Sequence, residues 1–142
     1  MNRKLDAMIA ITLGRKVVER EGEYWYPGRI PYRVEFFSID GNDMLELDKE
    51  MQARGYWIED CWFIPTHPKH DNPHAGWYVF YRDNNDNSGI VENIATLPMA
   101  VALAAYKALT GKDWKEECPR LYTAEEVSQA MQEAIKRITK GD

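Results

Sequence analysis

Apolar side chains at Leu5, Met8, Ile9 and Leu13 fall near one face of a helix, and Gly14 behind them supplies a left-handed stop. The periodicity then dissolves through a charged stretch into Glu23-Tyr24-Trp25-Tyr26-Pro27-Gly28-Arg29, where Pro and Gly punctuate a loop or short hairpin with exposed aromatics. Tyr32 to Phe37 reads as a short strand. Ser38-Ile39-Asp40 then offers capping side chains to a helix carrying Met44, Leu47 and Met51 on one stripe and ending at Gly55.

Two aromatic-rich runs follow, Tyr56 to Ile64 and Trp77 to Tyr81, each bounded by turn residues as strands are. The polar connection between them, Pro65 to Gly76, keeps them antiparallel neighbours and predicts a meander sheet. Asp83 to Gly89 reads as a turn from strand to helix. Thr96 caps an Ala-rich helix to about Leu109, with Pro98 tolerated in its first turn. Thr123 with Glu126 forms a capping box for a last helix over 123–140, whose apolar face is Val127, Met131, Ala134 and Ile138. The order of elements is an α+β layer pattern.

The chain has 142 residues, 44% hydrophobic and 29% charged, with 18 basic against 23 acidic residues and a net charge of −5. That size holds one domain, 1–142, and the composition excludes disorder throughout. An acidic balance argues against grip on a phosphate backbone, so no nucleic-acid partner is expected. The two cysteines, Cys61 and Cys118, form no Cys-x-x-Cys pair, which indicates neither a disulfide framework nor a zinc ribbon. The first apolar stretch is too short and broken for a secretory or membrane segment, so a cytoplasmic location and no membrane partner are expected.

Three segments resemble the phage ABA sandwich domain family. They are Leu5-Asp6-Ala7-Met8-Ile9-Ala10 with Gly14 behind it, the Phe37-Ser38-Ile39-Asp40 entry to the second helix, and the helix from Leu97-Pro98-Met99-Ala100 to Leu109. The resemblance covers roughly residues 5–111. It implies a phage or prophage origin, hence a host bacterial cytoplasm, and an antiparallel sheet sandwiched between helices (α-β-α). The 19–33 aromatic insertion and the 123–140 helix stand outside the family pattern as additions. It implies no catalytic residue.

Candidate chemistry is sparse. His67, His70 and His74 lie in one loop with Asp71, a ligand set suited to zinc, but a solvated loop of turn-forming residues accounts for the same spacing. No Ser or Cys nucleophile stands in a known context, so hydrolysis is unsupported and no cofactor is expected. Asp83-Asn84-Asn85-Asp86-Asn87-Ser88-Gly89 lacks the glycine at the sixth position that an EF-hand requires. The glycines are scattered, with no phosphate loop. Five tryptophans and eight tyrosines are the unusual feature. In the strands these rings read as core of a sheet covered on both sides.

In the insertion, Tyr24, Trp25 and Tyr26 beside Arg29 and Arg33 pair flat rings with guanidinium forks, which suits a nucleobase and a phosphate. With Trp57 they form the candidate ligand-binding set. The expected function is a non-enzymatic phage accessory protein sequestering a small molecule, a nucleotide-derived host immune signal, in a homo-oligomer. The alternative is a structural or protein-interaction module that uses the aromatic loop for self-assembly or host-protein binding, since Trp, Tyr and Arg also anchor interfaces.

Overall fold

The first helix runs over Arg3–Thr12 (α1), with the Asn2 side chain accepting from the Leu5 N–H at its start. The computed structural model describes residues 2–67, 69–70 and 72–115. Leu5 to Ala10 are all buried in α1, Asp6 included, so this helix is enclosed well beyond one stripe. Val18–Arg20 (β1) and Glu23–Tyr26 (β2) then form a hairpin through Glu21 and Gly22, both at positive φ. That is the two-residue turn whose twist matches the strands it joins.

Tyr32–Arg33 (β3) pairs on the other side of β2, giving a three-stranded sheet in the order β1-β2-β3. The expected strand to Phe37 stops early because side chains capture the backbone donors. The Phe36 N–H goes to Asp43 and the Ser38 N–H to Asp6, each at 2.8 Å, leaving no ladder to continue. Gly41–Ala53 (α2) follows, and Asp40 caps it by accepting from the N–H groups of Asn42 and Asp43.

The meander is present as Trp57–Ile64 (β4), Gly76–Arg82 (β5) and Ser88–Ile94 (β6), in the order β4-β5-β6. The Asp83 turn therefore joins two strands; the sequence pattern had missed β6. A bulge between Trp77 and Val79 in the β5–β6 pairing, with Asn93 at φ 64°, breaks the period of two. Ile90 and Val91 then look like neither a strand face nor a helix stripe. Leu97–Thr110 (α3) closes the described architecture, capped by Thr96 and ended by Gly111 in the left-handed region.

Helix α3 lies on β5 and β6, α1 packs against α3 and β2, and α2 sits against α3 and β4. One apolar core joins these layers, with Phe37, Leu47, Met51, Val79, Tyr81 and the alanines of α3 inside it. The class is α+β. The helix expected over 123–140 lies outside the described residues.

Two expectations about aromatics are corrected. Tyr24, Trp25 and Tyr26 are half-buried and not exposed, because β2 is the middle strand of its sheet and backs onto α1. The strand aromatics, conversely, are not all core. Trp62 and Phe63 are exposed, since β4 is an edge strand reached by a helix only through α2.

The seat of α3 on β6 is close enough to require glycine. A Cβ on Gly89 would collide with the Ala104 carbonyl oxygen and stand 2.6 Å from the Ala108 nitrogen, and both are backbone atoms that cannot swing aside. Gly89→Ala is expected to destabilise the protein by about 1–3 kcal/mol through overpacking. Urea unfolding followed by far-UV circular dichroism should show a lower midpoint at unchanged slope.

Candidate functional site

Alternation along β2 separates the candidate rings. Tyr24 and Tyr26 pack against the core, while Trp25 points to the opposite face. Tyr26 is further committed by Arg15, whose Nη1 donates to the Tyr26 hydroxyl oxygen at 2.8 Å and to Glu35 Oε2 at 2.6 Å. The other arm of Arg15 reaches Glu50 Oε1 on α2 at 2.7 Å, and Arg54 binds the remaining Glu50 oxygen at 2.6 Å. Burial, then the Glu35 carboxylate, push the Tyr26 phenol well above its ordinary range, so it stays protonated. Tyr26 is thus the half-buried pin of a charged clamp.

Trp25 stands opposite Arg33 in the β2–β3 register, and that guanidinium lies 5.3 Å from the indole centroid. This is a cation–π pair. The Trp25 Nε1 is buried and has no acceptor among the described residues. Beyond it the chain turns at the hairpin tip, where Ile30 is 69% and Tyr32 66% exposed. Arg29 is exposed there too and makes no ion pair among the described residues.

Trp57 does not join this group. It belongs to β4, which makes no contact with β2. Its indole N–H donates to Glu59 Oε2 at 2.6 Å, and Arg82 covers its ring at 5.7 Å. The structure therefore brings Trp25, Arg29 and Arg33 to one hairpin, turns Tyr24 and Tyr26 inward, and leaves Trp57 on the second sheet.

Reasoning from sequence missed another surface. Pairing places Trp57 with Arg82, Asp60 with Phe80, Trp62 with Tyr78 and Phe80 with Ile90. Val79 and Tyr81, which alternate with these positions on β5, face the core, so the Phe80 face points away from α3. No described helix lies on it. Trp62 and Tyr78 stack with centroids 4.1 Å apart and planes within 11°, and Trp62 is 44% and Ile90 41% exposed. The available signal was the alternation of β5 itself, in which Tyr78 and Phe80 cannot share the side of Val79 and Tyr81.

The remaining candidates have local roles. The His67 and His70 rings stack at 5.2 Å across an isolated bridge, and His67 Nδ1 accepts from the Lys69 N–H. His74 is exposed, and among the described residues no three His, Cys, Asp or Glu side chains are placed to hold a metal. Asp83 accepts from the N–H groups of Asn85 and Asn87 and from the Asn87 side chain. The Asn87 bond leads in holding its carboxyl below the usual range. A hollow of about 390 Å³ near Ser38, Thr96 and Met99 lies away from the hairpin rings. No helix among the described residues is long and apolar enough to cross a membrane. No family model, curated protein or solved structure matches the chain.

The Arg15 clamp makes a pH prediction. Hydrogen bonds from Arg54 and then Arg15 hold the Glu50 carboxyl below its ordinary value of 4.5 in the folded protein. A lowered folded pKa stabilises above the unfolded value, and that contribution is lost as pH falls through the folded one. The difference in melting temperature between the unaltered chain and Glu50→Gln should therefore shrink as pH is lowered from about 5 to 3. A difference constant over that range would contradict it.

Proposed function

We propose that the chain is a non-catalytic binding module that holds a protein partner through its 27–33 hairpin tip. One observation carries this reading. The tip presents two strongly exposed apolar side chains, Ile30 and Tyr32, next to Arg29, while the neighbouring Tyr24 and Tyr26 are used internally. An exposed apolar pair flanked by arginine is the composition of an interface anchor, in which the rings and aliphatic groups supply buried area and the guanidinium supplies orientation.

A second reading, capture of a nucleotide-like small molecule, is favoured by the Trp25 Nε1 alone. A buried indole N–H with no acceptor among the described residues, beside the Arg33 cation, would gain from a ligand oxygen.

Two experiments test these readings. With p-benzoylphenylalanine at position 32, irradiation of the purified chain and of a bacterial lysate containing it should give a covalent product of protein mass. That product should fall at least several-fold when Ile30→Ser is added, as expected for loss of an anchor. No protein adduct in either setting would overturn the interaction reading. The small-molecule reading requires a nucleotide panel to raise the melting temperature of the unaltered chain and not that of Trp25→Ala.

A further inference from the structure

We infer that the partner of the hairpin tip is a second copy of this chain, and that the tip seats on the open face of the β4–β6 sheet. The inference rests on the reading of the tip as a protein contact and names what it contacts. The face is apolar where the tip is apolar, with Trp62, Tyr78, Phe80 and Ile90 side by side across three strands. It is also charged where the tip needs charge. Asp60 pairs with Phe80 and so shares that face, is exposed, and makes no ion pair among the described residues. The tip offers the complement in Arg29, an exposed cation with no ion pair among the described residues, beside Ile30 and Tyr32.

Among the described residues the two surfaces lie on separate sheets that do not touch, so they do not meet each other within one chain. Because tip and face are different patches, each contact joins the tip of one copy to the face of another. The contacts close as a reciprocal two-fold pair or a larger ring, or run on as a filament. Arg29 approaching the Asp60 carboxylate would fix the register, while Ile30 and Tyr32 pack against the edges of the stacked Trp62 and Tyr78 rings.

Two variants of the full chain test this, each altering exposed side chains only. The tip variant carries Arg29→Glu and Tyr32→Ser, and the face variant carries Asp60→Arg and Trp62→Ser. Sedimentation velocity of the unaltered chain should show concentration-dependent species larger than one chain. Either variant alone should associate about tenfold or more weakly, consistent with loss of a central anchor. An equal mixture of the two should form a dimer and nothing larger, because one intact tip meets one intact face. Combining Arg29→Glu with Asp60→Arg in one chain should restore part of the association.

An unaltered chain that stays monomeric, a face variant that assembles like the unaltered chain, or a mixture that stays monomeric overturns the inference. If the protein adduct at position 32 persists in the face variant, the tip remains a protein contact and only this choice of partner falls. A photo-crosslinker at Ile90 adds an independent readout. It should join residues 27–33 of another chain, and a product at the mass of one chain reaching residues 116–142 would overturn the proposal.

Discussion

The seat of α3 on Gly89 governs what the rest of the molecule can do. Alanines at 100, 102, 104, 105 and 108 strip the helix of bulk, and the absence of a side chain at 89 lets its backbone come down onto β6. Once there, the helix is tied along its last turns. Lys107 reaches the Ile90 carbonyl at 3.5 Å and pairs with Asp113 at 3.0 Å, and the Tyr56 hydroxyl donates to the Ala108 carbonyl at 3.3 Å. Tyr106 meets the edge of Trp114. With α1 and α2 stacked on α3, the described helices are gathered on one side of the β4–β6 sheet. The bare aromatic face opposite is a consequence of that arrangement.

The small sheet is oriented by a second device, the guanidinium of Arg3. Its five N–H donors go to Asp6, to Glu23 twice, and to the Glu35 and Val34 carbonyls, at 2.6–3.0 Å. Phe36 lies beneath it at 3.8 Å. Taking these charges out of water is costly, and only a fully used fork offsets it. What the network fixes is geometry. It ties β2 and the chain after β3 to α1, and with that registry Tyr24 and Tyr26 face the core while Trp25 faces out. The binding character of the hairpin is thus decided at a residue twenty positions earlier in the chain.

Much of this was legible from local pattern. The capping residues Asp40 and Thr96 and the terminating glycines at 14, 55 and 111 act through their own side chains or backbone freedom, so sequence spacing reveals them directly. The meander of β4 and β5 was legible for the same reason. What was not legible depends on partners distant in sequence. Asp6 sits among apolar residues because Arg3 and Ser38 satisfy it, and the strand after Tyr32 ends because Asp43 takes a donor. Strand β6 was hidden by its own bulge. The site fared similarly: residue types at 24–33 announced recognition chemistry, but which rings faced outward depended on the register with β1 and β3.

Ring geometry decides what kind of partner the two surfaces suit. A planar guest needs an aromatic face left open to it. Trp62 and Tyr78 have turned one face of each ring on the other, Arg82 lies over one face of Trp57, and Arg33 lies over one face of Trp25. Beside the stacked pair lies the exposed aliphatic surface of Ile90. On the same face Arg82 is taken by Glu59 at 3.8 Å, which leaves the Asp60 carboxylate to favour a side-chain-bearing, cationic guest over a stacked base. A tip of two anchors buries less than a standard interface, so a single such contact holds two chains at raised concentration and repetition around a ring extends it to lower ones.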